Sequence, residues 1–94
     1  MSMNKDIIWL IRGYQRKALF ENIPEKPFLS NKLRKELNER LNMNLSLREV
    51  SRHLNDFSKK KLILCLNPSD PYNRIYKLTN EGKNIKKKIS RLEL

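Results

Sequence analysis

Ser46-Leu47-Arg48-Glu49-Val50-Ser51-Arg52-His53-Leu54-Asn55-Asp56-Phe57-Ser58-Lys59-Lys60 carries the clearest structural pattern in the chain. Serine followed three residues later by glutamate has the form of a capping box, in which each side chain satisfies the other residue's free backbone N–H. Leu47, Val50, Leu54 and Phe57 then recur at three- and four-residue steps, as the apolar stripe of a helix does. Lys59, Lys60 and Lys61 close the segment, where cations suit the negative end of the helix dipole. A helix over about 46–60 is expected. If its apolar stripe faces a core, Arg48, Ser51, Arg52, Asn55 and Lys59 turn outward.

Upstream, Ser30 is placed to N-cap a second helix whose Leu33, Leu37 and Leu41 lie at spacings of four. Asn42-Met43-Asn44 reads as the turn between the two. Before them, Tyr14 to about Asn22 reads as a helix with Ala18, Leu19 and Ile23 inward. Pro24 and Pro27 break the chain, and Phe28 begins a short extended piece. Ile7 to Ile11 is continuously apolar, so periodicity alone leaves helix and buried strand both open there.

Downstream the period changes. Leu62 to Leu66 reads as a strand, Asn67-Pro68-Ser69-Asp70-Pro71 is dense in turn residues, and Arg74 to Leu78 alternates with Tyr76 and Leu78 on one side. Thr79 can cap a last helix over about 80–92, with Ile85, Ile89 and Leu92 as its apolar line. The expected fold is mainly α with a small β-hairpin, one domain over 1–94. Its core lies at about 14–79 and contains three helices and two strands; the last helix follows. The second and third helices, joined by a tight turn, have the arrangement of a helix-turn-helix.

The Tyr76-Lys77-Leu78-Thr79-Asn80-Glu81-Gly82 run, following Arg74-Ile75, resembles the wing of MarR-like and ArsR-like winged helix-turn-helix repressors. Leu45 to Leu54 resembles the recognition helix of archaeal winged-helix transcriptional regulators, and the similarity covers roughly Tyr14 to Ile89. The resemblance implies sequence-directed binding of double-stranded DNA, usually as a homodimer, with the third helix in the major groove. Where many relatives carry Asp-x-Arg at the wing tip, this chain has Asp70-Pro71-Tyr72, and where many carry glycine before the Arg-Ile-Tyr run it has Asn73. Arg74 becomes the expected wing contact.

The outward set suits groove binding. Arg48 and Arg52 can donate pairwise to guanine, Asn55 can pair with adenine, and Ser51 adapts to either. Any basic protein presents a solvated face of this kind, so the face alone leaves both readings open. Tyr72, Asn73 and Arg74 are candidates for phosphate or minor-groove contact, against the alternative of a solvated loop with Tyr72 packed locally. Ser30, Asn31, Lys32 and Lys35 lie where a second helix meets the DNA backbone, although N-capping also explains Ser30. Lys83, Lys86, Lys87, Lys88 and Arg91 are either a solvated helix face or an extension of the basic footprint.

Composition agrees with a polyanionic partner. Twenty-one Lys and Arg against ten Asp and Glu leave a formal charge of +11. A Lys-rich composition also arises in basic proteins that bind nothing. No apolar run approaches the roughly 20 residues of a membrane span, and no secretory signal is recognisable at the start. Cys65, the single cysteine, has no partner for an internal disulfide, which points to a reducing compartment. A cytoplasmic protein with no membrane partner is expected. His53, beside Val50 and Phe57, reads as structural, and Cys65 as a small core residue. With one histidine, one cysteine and only Gly13 and Gly82, no nucleophile–base pair and no phosphate loop is visible, so no enzyme activity, cofactor, metal or small-molecule ligand is expected. The rival to DNA binding is a winged-helix module for protein–protein or RNA interaction.

Overall fold

The computed structural model describes residues 5–92. Along them run α1 (Lys5–Arg12), α2 (Tyr14–Glu21), β1 (Phe28–Leu29), α3 (Ser30–Arg40), α4 (Leu47–Lys59), β2 (Ile63–Cys65), β3 (Ile75–Leu78) and α5 (Asn80–Leu92). The described chain is thus mainly helical with a small antiparallel sheet. The apolar run at the start is helical: Ile7 and Leu10, three apart, are buried, while Ile11 reaches solvent. Gly13, in extended conformation, separates α1 from α2.

The expected hairpin of β2 and β3 is joined by a third strand, β1. The sheet order is β1-β3-β2, with Phe28 opposite Tyr76 and Leu29 opposite Ile75 on one side, and Ile63 opposite Leu78 and Cys65 opposite Tyr76 on the other. A lone two-stranded hairpin is marginal in water. The short β1 gives β3 a partner on both edges and stacks the Phe28 ring on Tyr76 at 6.0 Å. Tyr76 and Leu78 point into the core and Lys77 points out, as the alternation requires.

One core joins all five described helices and the sheet. It extends past the expected 14–79 limits, to Ile7 and Leu10 at one end and to Ile85 and Ile89 at the other. Phe57 sits at its aromatic centre, edge-on to Phe20 at 5.3 Å and to Trp9 at 5.8 Å, with the His53 ring stacked at 6.5 Å. Such pairs add about 0.5–1.5 kcal/mol each beyond area burial. Trp9 in turn carries the Arg16 guanidinium at 4.3 Å and the Lys60 ammonium at 4.8 Å from its ring centre. Arg16 donates to the Trp9 carbonyl, and Lys60 pairs with Asp6 at 3.3 Å, so α1 is tied to α2 and to the end of α4.

Three leucines placed on apolar stripes are exposed instead: Leu41, Leu47 and Leu92. Leu41 follows the last turn of α3, where Asn42 adopts a left-handed φ of 54° and turns the chain. Leu47 opens α4 before the helix reaches its neighbours, and Leu92 lies beyond Ile89, where α5 outruns the core. Leu45, buried, closes that corner in place of Leu41 and Leu47. The stripe of α4 is therefore Val50, His53, Leu54 and Phe57. The connection between α3 and α4 is residues 41–46, longer than the expected Asn42–Asn44 turn. The Asn38 side chain holds it: its amide donates to the Leu45 carbonyl at 3.0 Å and its oxygen accepts from the Leu45 N–H at 2.9 Å.

The chain leaves α4 through Lys61, whose φ is 61°. The Lys61 and Leu62 N–H groups bond back to the Ser58 and Phe57 carbonyls, the pattern of a Schellman ending. Thr79 then caps α5, accepting from Gly82 N–H at 3.0 Å while its hydroxyl reaches the Lys61 and Leu62 carbonyls at 2.7 and 3.1 Å. This junction brings α5 so close to β2 that a Cβ on Gly82 would lie 2.0 Å from the Leu62 carbonyl oxygen.

Candidate nucleic-acid interface

The capping box at the start of α4 is formed as expected. Glu49 N–H donates to the Ser46 hydroxyl at 3.1 Å, and Ser46 N–H donates to the Glu49 carboxylate at 3.0 Å. Those bonds from Ser46 hold the Glu49 carboxyl below its ordinary pKa. With Val50, His53, Leu54 and Phe57 buried, the helix turns Arg48, Ser51, Arg52, Asn55 and Lys59 to solvent, and all five are exposed. Arg48, Arg52, Asn55 and Lys59 follow one another at steps of four, three and four, a line of about 16 Å along the helix. No acidic residue interrupts it.

Ser30 is the first helical residue of α3 and not its cap. Leu29 holds the cap position in extended conformation because it pairs with Ile75, and no side chain caps the helix. Ser30 is consequently buried, at 8% exposure, whereas Asn31, Lys32 and Lys35 are open to solvent. The Asn31 side-chain oxygen is committed to Arg34, accepting from its Nε and Nη2 at 3.1 and 2.9 Å. Lys32 and Lys35 present bare ammonium groups one turn apart.

The loop between β2 and β3 is organised by two side chains. Asp70 accepts from the N–H groups of Tyr72 and Asn73, each at 2.9 Å, and these bonds, with Arg74 nearby, keep its carboxyl below the usual range. Asn67 spans the loop base, accepting from Ile75 N–H at 2.7 Å and donating to the Asn73 carbonyl at 2.9 Å. Arg74 turns back to donate to the Asp70 carbonyl at 3.2 Å, leaving Tyr72, at 84% exposure, as the tip.

The folded chain brings the three segments together. A cleft of about 240 Å³ runs between Asn31, Lys32 and Lys35 of α3 and Tyr72 and Asn73 of the loop. A second, of about 230 Å³, lies between Leu47 and Ser51 of α4 and Pro71, Tyr72 and Arg74. Ser30 and Tyr72 line both. Arg48, Arg52, Asn55 and Lys59 stand outside these clefts on the open face of α4. The residues that shape the loops, Asn38 and Asn67, were not singled out by sequence pattern. Asn38 lies inside α3 and Asn67 opens the run read as a turn, and the signal they offered was the ability of an amide to pair with a peptide group as a second backbone would.

His53 stands apart from this surface. Its Nε2 is buried without a hydrogen-bond partner, and burial, reinforced by Arg52 and Arg16, lowers its pKa from 6.5. Cys65 is half-buried against the core. Among the described residues no three His, Cys, Asp or Glu side chains gather as a metal site would require, and no helix is long and apolar enough to cross a membrane. Compared with known protein families, characterised proteins and solved structures, the chain matches none of them.

Proposed function

We propose that the chain is a winged helix-turn-helix protein that binds double-stranded DNA and regulates transcription, with α4 in the major groove and the 66–74 loop as the wing. The uninterrupted line of Arg48, Arg52, Asn55 and Lys59 on the exposed face of α4, with Ser51 beside it, carries this reading. Two arginines and an asparagine spaced by one helical turn match the donor and acceptor pattern of guanine and adenine edges, each good pair being worth about 1–3 kcal/mol of discrimination. Lys32, Lys35, Lys59 and Arg74 are placed for phosphates, with Tyr72 between the α3 and α4 contacts. The α3 amino terminus adds its uncapped N–H groups beneath them. A cytoplasmic location and a homodimer on two half-sites belong to the same proposal.

The test is fluorescence anisotropy of labelled duplex DNA over a salt series, first with random sequence and then with the region upstream of the chain's own gene. Four phosphate contacts give a slope of log affinity on log salt of about −3.6. Arg48→Ala and Arg52→Ala are expected to remove the preference for the upstream duplex while most of the nonspecific affinity stays. Absence of duplex binding at low salt refutes the proposal.

A further inference from the structure

A cleft of about 430 Å³ lies between the 24–29 segment and α3. Its floor is apolar, formed by Phe28, Leu29, Leu33 and Ile75, and its wall is Pro24 and Pro27. Two prolines fix their own φ angles, so the wall needs little ordering to receive a ligand. Lys26, Lys32 and Glu36 stand exposed at the rim.

The groove continues onto the outer face of the sheet. Strand register sets Leu29, Ile75 and Leu66 in one row across β1, β3 and the end of β2, and Leu64 beside Lys77 in the next. Leu29, Leu64 and Leu66 are 40–54% exposed. The outward side of a small antiparallel sheet is ordinarily polar, and nothing in the fold requires leucine at these three positions. Contiguous exposed apolar surface of this kind marks an interaction site.

We propose that this groove and sheet face dock a segment of another protein in which apolar side chains are flanked by carboxylates. Charge selects the occupant. The chain carries +11, and Lys26, Lys32 and Lys77 frame the apolar surface, with Glu36 the one carboxylate in the groove lining and Glu25 exposed beside Pro24. A second copy would set lysine against lysine, and a nucleic acid has no use for a leucine floor. Lys32 also lines the neighbouring cleft facing Tyr72 and Asn73. A docked carboxylate on Lys32 therefore competes with a DNA phosphate; that consequence, though not the docking itself, rests on the DNA reading above.

The experiment is selection of random twelve-residue peptides on the intact chain, followed by anisotropy titration with the best sequence, synthesised with a fluorophore. Enriched sequences should carry Leu, Ile or Phe between Asp or Glu. Affinity should fall at least tenfold in Leu29→Asp and in Leu66→Asp, fall similarly in Lys26→Glu/Lys32→Glu, and stay within about twofold in Lys87→Glu on α5, circular dichroism confirming that each variant is folded. No enrichment, enrichment without acidic flanks, or a peptide indifferent to both leucine variants overturns the proposal. So does sedimentation showing a dimer of the chain that Leu29→Asp dissociates. A chain that binds the peptide but no duplex refutes the DNA reading alone; one that binds duplex but no peptide refutes the docking alone. Where both bind, saturating peptide should weaken duplex affinity about threefold or more.

Discussion

Gly82→Ala gives a test whose sign is informative. In an ordinary helix interior the change stabilises by about 1 kcal/mol, because alanine is the better helix former. In α5 the added methyl would meet the Leu62 carbonyl oxygen at 2.0 Å and the Leu78 Cδ2 at 3.2 Å. The obstacle at 2.0 Å is backbone, and reaching ordinary contact requires a separation of more than 1 Å between α5 and the start of β2. That displacement loosens the two bonds that Thr79 makes to the Leu62 carbonyl, from its N–H at 3.0 Å and its hydroxyl at 3.1 Å. Each is worth about 1 kcal/mol, and overpacking at a closed junction costs about 1–3 kcal/mol more. Set against the propensity gain, the net loss is about 2–4 kcal/mol, a large part of the roughly 5–15 kcal/mol of a small domain. Thermal unfolding followed by far-ultraviolet circular dichroism should show Tm lower by roughly 10–30 °C, at about 4–8 °C per kcal/mol for this size. A variant as stable as the parent, or more so, refutes the close approach of α5 to β2 and with it the packing of the last helix.

Acid should weaken the fold in a definite window. The folded state holds the His53 pKa below 6.5, so the unfolded chain takes up the proton first; the stability is fully present above that value and drains away as pH falls below it. Urea unfolding from about pH 7.5 to about pH 5 should show this decline, and His53→Leu should flatten it; an equal slope in both proteins counts against the buried neutral imidazole. The lowered carboxyls of Glu49 and Asp70 act lower on the scale, near and below their ordinary values of 4.5 and 3.8, and leave that window to His53. The two helix starts should respond differently to the same substitution: Ser46→Ala removes the capping bond of α4 and should cost about 1 kcal/mol. Ser30→Ala removes no cap from α3 and should change the unfolding midpoint little, whereas equal losses in the two variants would place Ser30 back in a capping role.

Where local chemistry determined the structure, the sequence was legible. The Ser46–Glu49 box, the Thr79 cap and the alternation of Tyr76 and Leu78 are decided within a few residues, and each is found where the pattern puts it. What escaped depended on partners distant in sequence. Phe28–Leu29 becomes a strand because β3 lies beside it, and that pairing also moves the start of α3 by one residue and buries Ser30. Leu41, Leu47 and Leu92 carry the correct period but lie at helix ends, where periodicity says nothing about whether a neighbour is present to cover them. The outward face of α4 was readable because burial of Val50, Leu54 and Phe57 sets Arg48, Ser51, Arg52, Asn55 and Lys59 on the opposite side. The clefts that join α3, α4 and the loop were not, since they lie between Asn31, Lys32 and Lys35, Leu47 and Ser51, and Tyr72, segments far apart in sequence.

Trp9 gives the molecule a built-in optical gauge. It is the single tryptophan of the chain, and its indole contacts two cations and meets Phe57 at right angles, at the joint of α1 with α2 and α4. Its emission therefore senses the attachment of α1, while the backbone dichroism sums over all helices. Coincident transitions in the two signals would mark α1 as part of the one cooperative unit. An indole signal lost at lower denaturant would reveal a first helix that opens before the rest, a sub-global opening visible without any added label.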